Sequence, residues 1–285
     1  MSPSVRATDA LEVRGARLVW GERTYLMGIV NASPDSFSGD GLADAGAVVE
    51  RALEQRAAGA DVLDLGAEST RPGHVPIAPE EELRRLVPVV RAVRAHAPEA
   101  ILSIDTFKPD VFRAAHAAGG DVLNSIWGLN DALLAAAVEC DAPVVIMHNG
   151  RSEAATLDGV LRYLDGQAAR AVAAGVPRER VLVDPGIGFG KDAEQNLAVL
   201  ANLPRLKALG FPTLLGTSRK STLGKLTGRP VHERAFATAA TVALAAAAGI
   251  DVVRVHDVAA MRDVVRVADA IARGWRPADW NGATP

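Results

Sequence analysis

The sequence predicts an α/β fold, a single (β/α)8 TIM barrel preceded by an N-terminal β-hairpin. Three observations predict it. Eight short apolar runs recur along the chain, each followed by an Ala-rich segment with helical patterning. The runs are continuous rather than alternating, as strands buried on both faces require. A helix-to-strand joint is also repeated nearly verbatim: Ala57-Ala58-Gly59-Ala60-Asp61-Val62-Leu63, Ala117-Ala118-Gly119-Gly120-Asp121-Val122-Leu123 and Ala247-Ala248-Gly249-Ile250-Asp251-Val252-Val253. In each, a helix ends on a glycine and a strand starts about two residues later. Eight such strands make either an open doubly wound sheet or a closed barrel, and their count and even spacing favour closure.

Residues 11–24 read as a hairpin, with Gly21 near the turn before the first barrel strand. Such an extra element suits the bottom of a barrel as a plug. The strands follow at residues 25–30, 61–65, 101–104, 121–125, 143–147, 181–183, 213–215 and 251–255. Helices are expected between them, among them residues 80–96 and 109–118; the second has Pro109 in its first turn and stops at Gly119. No linker composition interrupts the chain. The expected organisation is an extension with the hairpin (1–24), one barrel (25–274) and a frayed tail (275–285).

Composition narrows the function. Nearly half the residues (49 %) are hydrophobic, enough for a large core and too many for disorder. A formal charge of -3 with no basic stripe argues against nucleic-acid binding. Cys140 is the sole cysteine, so no internal disulfide can form and a reducing, cytoplasmic setting is expected. The first residues lack the apolar core of a signal peptide. The apolar stretch 235–250 is shorter than the ~20 residues of a membrane span.

In this fold, chemistry belongs to the loops at the C-terminal strand ends. Unusual polar residues are expected there and nowhere else, with mainly Ala, Gly and Pro at the opposite ends. The first strand leads to Asn31 and then Asp35 and Phe37; the second to Asp64, Glu68, Thr70, Arg71 and Pro72; the third to Asp105. Asn124-Ser125, Met147-His148 and Asp184 close the next three, followed by Gly216-Thr217-Ser218-Arg219-Lys220-Ser221 and Arg254-Val255-His256-Asp257. Singly, each has a plain explanation: a strand-end Asp often caps the next helix, a histidine there often satisfies backbone groups, and Asp64 and Glu68 read equally well as internal braces of the second loop. Convergence on one face is what singles them out.

The loop Gly186-Ile187-Gly188-Phe189-Gly190-Lys191 has the spacing of neither a dinucleotide fingerprint nor a P-loop. Alternating glycines suit a flat ligand lying against backbone, with Phe189 available to stack. The helix beginning near Ser221, with Arg219 and Lys220 before it, offers an anion site. Arg254 and His256 alternate on one strand and so point the same way. No nucleophile with a partnered base is apparent.

These motifs resemble the dihydropteroate synthase family over about residues 25–256: Met27-Gly28-Ile29-Val30-Asn31 with Ser33-Pro34-Asp35-Ser36-Phe37-Ser38, Glu68-Ser69-Thr70-Arg71-Pro72-Gly73, Ser103-Ile104-Asp105-Thr106, Met147-His148, Asp184-Pro185-Gly186 with Phe189-Gly190-Lys191, Ser218-Arg219-Lys220-Ser221 and Arg254-Val255-His256-Asp257. The resemblance implies a Mg2+-dependent transferase of folate biosynthesis. Dihydropterin pyrophosphate loses pyrophosphate, and the p-aminobenzoate amine takes the exocyclic methylene carbon to give 7,8-dihydropteroate. It further implies that Asn31 holds Mg2+ and, with Arg71, Arg254 and His256, the diphosphate. Asp105, Asn124, Met147, Asp184, Phe189, Gly216 and Lys220 would surround the pterin. Phe37, Thr70, Pro72 and Ser221 would form the p-aminobenzoate pocket, and Asp35 and Arg71 would sit on closing loops. Sulfonamide inhibitors and a homodimer are likewise implied. Two residues depart from the family pattern: Ser33 stands where Thr is usual, and Ser125 where Asp is. A pterin-dependent methyltransferase and a non-catalytic homologue are the alternatives, the first disfavoured by the two intact anion signatures.

Overall fold

The computed structural model describes residues 10–31, 45–68, 77–150, 155–278 and 280. Strands β1 (Ala10–Val13) and β2 (Ala16–Val19) form the expected hairpin. Its turn is Arg14-Gly15, both at positive φ (53° and 75°), the pairing a two-residue type I′ turn needs. Gly21, also at positive φ, lies in the following bend into the barrel.

The eight apolar runs form one parallel sheet: β3 (Tyr25–Asn31), β4 (Val62–Gly66), β5 (Ile101–Asp105), β6 (Val122–Ser125), β7 (Val144–Met147), β8 (Val181–Asp184), β9 (Leu214–Leu215) and β10 (Val252–Val255). Their spatial order is β8-β7-β6-β5-β4-β3-β10-β9, and the parallel bridge Val183↔Thr213 joins the two ends. The sheet is therefore a barrel rather than an open doubly wound layer. Helices α1 (Ala45–Ala57), α2 (Pro79–His96), α3 (Pro109–Ala117), α4 (Asp131–Glu139) and α5 (Leu157–Ala173) follow β3 to β7 in turn. Two helices each follow β8 and β9: α6 (Ala193–Leu200) with α7 (Leu203–Lys207), and α8 (Ser221–Thr227) with α9 (Ala235–Ala247). Helix α10 (Val258–Ala272) ends the ring. No described helix is long and apolar enough to cross a membrane.

Two packed layers follow from strand geometry. Residues facing outward from the sheet, such as Leu63, Leu102, Ile104, Leu123, Ile146 and Val183, meet the helices in the main core. Inward-facing residues of the lower barrel, including Tyr25, Met27, Ile101, Val145, Leu182 and Leu214, join Leu11, Leu18 and Trp20 of the hairpin segment in a second cluster. The hairpin thus plugs the barrel bottom. Tyr25 accepts a hydrogen bond at its hydroxyl from the Val19 N–H (2.7 Å) and donates to the Val19 carbonyl (3.1 Å), and the Trp20 indole donates to the Glu179 carbonyl (2.9 Å).

The repeated joints behave as their glycines require: Gly59, Gly119 and Gly249 have φ of 107°, 114° and 87°. The expectation that polar residues avoid this end is corrected, because the aspartate of each joint has a specific partner. Asp61 accepts the Leu26 N–H (2.8 Å), Asp121 the Leu102 N–H (2.9 Å) and Asp251 the Thr213 N–H (2.8 Å). Each satisfies a backbone donor at the start of the neighbouring strand, one that the ladder leaves unpaired. The hairpin segment binds the same three acids. Arg14 pairs with Asp121 (2.8 Å), Arg23 with Asp61 (2.6 Å), and the Gly21 N–H donates to Asp251 (3.0 Å).

Candidate active site

Side chains on a strand alternate, so one inward parity runs up each strand from plug to mouth. On that parity the lower residues Val62, Ile101, Val122, Leu182 and Val252 are apolar. Two residues further on, the same faces carry Asp64, Ser103, Asn124, Asp184 and Arg254, and Asp105 lies two beyond Ser103. The mouth is a polar cap on an apolar cylinder.

Asp64 is its centre. The fully buried carboxylate accepts from Arg254 Nε (2.6 Å), Ser103 Oγ (2.6 Å) and Asn124 Nδ2 (3.1 and 3.2 Å to its two oxygens). Arg254 also donates to Asp105 (3.0 Å), so one guanidinium bridges two buried acids. Burial pushes the Asp105 carboxyl up from the ordinary range, the Asp64 charge adds to this, and Arg254 opposes it. Arg254 is held above its usual value: burial acts the other way, but the two carboxylates outweigh it. Behind them, Lys108 makes short contacts with Glu68 and Glu82, tying the end of β4 to helices α2 and α3.

The glycine loop forms the next wall. Gly186, Gly188 and Gly190 all have positive φ (67°, 80° and 61°), and a Cβ on Gly186 would lie 2.0 Å from the His148 carbonyl oxygen. Only glycine fits there. Asp184 accepts the Gly186 N–H (2.7 Å), and its carboxyl is pushed up to about 6, chiefly by burial. The Lys220 ammonium sits 4.0 Å from the Phe189 ring centroid and is lowered to about 8 by burial and then by the Arg254 charge. Asp184 at the end of β8 and Lys220 in the loop after β9 feel each other's charge and so share one wall. Met147, paired in register with Asp184, is buried beneath.

Past β10, the Ser218 hydroxyl accepts the His256 backbone N–H (3.2 Å) and lies 2.9 Å from His256 Nδ1. A serine with a partnered histidine therefore exists, correcting the sequence expectation. Its arrangement is that of a brace: Ser218 is buried, its oxygen already accepts an N–H, and the same hydroxyl is shared with Nδ1. His256, lowered to about 4 by burial and then by Arg219 and Arg254, is left neutral, and in the tautomer that accepts from Ser218 at Nδ1 its Nε2 is a donor. Arg219, at positive φ (58°), is engaged by Asp257 at 2.5 and 3.1 Å, while Ser221 is exposed at the start of α8.

The structure brings Asp105, Asn124, Met147, Asp184, Phe189, Lys220 and Arg254 to one end of the barrel, with Asn31 exposed at the end of β3 and Gly216 beside Arg254. Asp35, Phe37, Thr70, Arg71, Pro72 and Ser33 lie outside the described residues. Asp64 and Ser103 were missed as site residues; their signal was an acid and a hydroxyl inside apolar runs, in phase with Asp105. Ser125, where the family usually has Asp, is buried and donates to the Gly128 carbonyl (2.7 Å), so the exchange leaves no orphaned group. A separate cleft of about 480 Å³ lies under the barrel beside Arg14, Arg56, Asp61 and Glu99, whose charges are paired.

Comparison with known proteins shows the family. A family model described as "pterin binding enzyme" matches residues 27–256, the whole span from β3 to His256. The dihydropteroate synthase of Synechocystis sp. is 42 % identical over 270 residues, covering 90 % of this chain and 92 % of its own. The chain belongs to the dihydropteroate synthase family. A solved Xanthomonas albilineans dihydropteroate synthase with 4-aminobenzoic acid superposes with a TM-score of 0.87 at 42 % identity, covering 92 % of this chain and 98 % of its own. A Yersinia pestis dihydropteroate synthase in a sulfonamide drug complex superposes at 0.83 and 35 % identity, covering 93 % and 99 %.

Proposed function

We propose that the chain condenses 6-hydroxymethyl-7,8-dihydropterin pyrophosphate with p-aminobenzoate to give 7,8-dihydropteroate and pyrophosphate. The observation that carries this reading is the mouth itself: buried acids and an amide with two half-buried cations, drawn from six strands or their loops, around Phe189. Asp105 and Asp184 accept the aminopyrimidine N–H donors of the pterin, Asn124 offers both donor and acceptor, and Lys220 donates to a ring oxygen or nitrogen. Phe189 and Met147 supply the apolar faces.

The reaction needs no protein nucleophile. As the C–O bond to the diphosphate breaks, positive charge develops on the pterin methylene and is spread into the ring, near the carboxylates of Asp105 and Asp184. Arg254 and the Nε2–H of neutral His256 receive the leaving diphosphate. The amine of p-aminobenzoate then attacks the methylene and loses one N–H proton to the released diphosphate or solvent, with its carboxylate held at Ser221 and the start of α8, and walled by Phe37, Thr70 and Pro72. Asp35 and Arg71 act from the first two loops.

Asn31 would hold Mg2+. It presents one exposed hard oxygen at the rim, and no group of three or more His, Cys, Asp or Glu among the described residues could cage a metal. That donor set fits an ion that keeps its waters and leans on substrate phosphate. When bound, the ion supplies neutralisation of the diphosphate charge. Sulfonamides would compete with p-aminobenzoate. The homodimer reading is supported by Phe236 and Leu244 on α9 and Val267 and Ile271 on α10, apolar residues left 61–92 % exposed. Unpaired Cys140 fits a cytoplasmic setting.

The test is to mix the purified chain with dihydropterin pyrophosphate, p-aminobenzoate and Mg2+ and follow dihydropteroate and pyrophosphate. Formation of neither ends the proposal. Sedimentation of the Phe236→Glu variant tests the dimer: the substitution should yield monomer, and an unchanged mass from a dimeric parent would move the interface elsewhere.

A further inference from the structure

Lys191 closes the glycine loop and has no part in the chemistry described above. Its ammonium contacts His148 Nδ1 (2.9 Å), the Gly186 carbonyl (3.0 Å), and the carbonyls of His148 and Phe189 (both 3.3 Å). Three carbonyls and an imidazole nitrogen from two adjacent loops thus converge on one cation. They can do so because positive φ at Gly186, Gly188 and Gly190 turns the loop around the side chain. The other side of the loop is held by the Gly188 N–H donating to Asn196 of α6 (2.8 Å). Gly150 presses against Gly190 so closely that a Cβ on Gly150 would lie 2.3 Å from the Gly190 oxygen.

We propose that Lys191 is a positioning residue for pterin recognition: it ties the glycine loop to the end of β7 and so fixes the Phe189 ring against Lys220. His148 is fully buried, and its Nδ1 accepts from the ammonium, so its proton sits on Nε2, which has no partner among the described residues. The imidazole is therefore a neutral acceptor built to receive Lys191. Phe189 lies between two such restraints, its own carbonyl on Lys191 and its ring against the Lys220 ammonium. A loop of three glycines has no side chains of its own to hold this shape, and removing the ammonium leaves four buried acceptors facing one another. The ring would then lose its fixed place under the pterin.

This rests on the proposed placement of the pterin at Asp184, Phe189 and Lys220. The test is steady-state kinetics of Lys191→Met, Phe189→Leu and the double variant. Lys191→Met should raise KM for dihydropterin pyrophosphate about tenfold, equivalent to the loss of one buried charged hydrogen bond. It should leave kcat and the KM for p-aminobenzoate within about twofold, since only ring placement is lost. Because Lys191 acts through Phe189, the double variant should be no worse than the poorer single one. A wild-type pterin KM, a loss confined to kcat, or additive effects in the double variant would each overturn the proposal. Should Lys191→Met not fold, Lys191→Gln keeps an amide donor and should give the same split at smaller size; an unchanged pterin KM there overturns it equally. A wild-type chain that forms no dihydropteroate would instead sink the function reading.

Discussion

Replacing Asp64 with Asn tests the organisation of the mouth with little change of shape. The carboxylate accepts from Ser103 and Asn124, both buried, and from Arg254, which is half-buried. In the variant, the new amide nitrogen takes one oxygen position. The less costly choice faces Ser103, which can reverse its hydroxyl, and leaves the remaining oxygen for Arg254. The bonds with Ser103 and Asn124 become neutral ones, at roughly 1 kcal/mol each, and the Arg254 guanidinium exchanges a charged acceptor for a neutral one. Relief of the repulsion with Asp105 returns part of this, for a net loss of about 2–3 kcal/mol. A chain of this size unfolds with an entropy of about 0.6 kcal/mol per degree, so the melting temperature should fall by roughly 3–5 °C. The Asp64 charge is one reason the Asp105 carboxyl lies high, so Asp105 should titrate lower in the variant. Thermal unfolding reads the first effect and 13C titration of labelled aspartate carboxyls the second. An unchanged melting temperature, or an Asp105 carboxyl that moves up, would refute this account of the mouth.

Further expectations concern pH, the loop and the plug. The pH profile of kcat/KM should rise through about 6 as Asp184 ionises and fall beyond about 8 as Lys220 loses its proton; Lys220→Arg should carry the alkaline limb upward, and a limb that stays put excludes Lys220 as its source. His148 titrates near 4 in the fold against 6.5 ordinarily, so it contributes stability above 6.5 that is lost as pH falls towards 4. Urea midpoints for His148→Phe should show a shallower loss over that window, and an identical slope would place the effect elsewhere. Gly186→Ala puts a Cβ 2.0 Å from the His148 carbonyl and should weaken pterin binding at least tenfold by fluorescence titration; near-normal affinity would mean the loop can open without cost. Tyr25→Phe removes both contacts with Val19 and should cost about 1–2 kcal/mol in unfolding experiments while leaving kcat alone. A loss of kcat there would couple plug to mouth.

The barrel was legible because burial on both strand faces writes continuous apolar runs, and each predicted strand lies within about two residues of its observed ends. Asp105, Asp184, Lys220 and Arg254 were legible from position alone, since strand ends in this architecture face one mouth. Asp64 was not: an acid mid-strand reads as a brace for the following loop until the inward parity shows it meeting Arg254 from across the barrel. Lys191 was visible in its motif but without a role, because three of its four partners are backbone carbonyls, which no side-chain pattern reports. The joint aspartates were hidden differently. Their repetition marked the joints, and only the three-dimensional neighbours revealed that each acid serves the adjacent strand. The loops carrying Asp35 and Arg71 lie outside the described residues.

Those three aspartates make the underside of the molecule a seat with three matching sockets. Because the recurring unit places an identical acid under three of the strand pairs, one short leading segment can engage all three at once through Arg14, Gly21 and Arg23. Shortening the chain to begin at β3 would take one partner from each acid at once, leaving Asp61 to the Leu26 N–H, Asp121 to Arg94 and the Leu102 N–H, and Asp251 to Lys207 and the Thr213 N–H. The leading segment is thus a keystone, fitted to a symmetry that the working end of the barrel has abandoned.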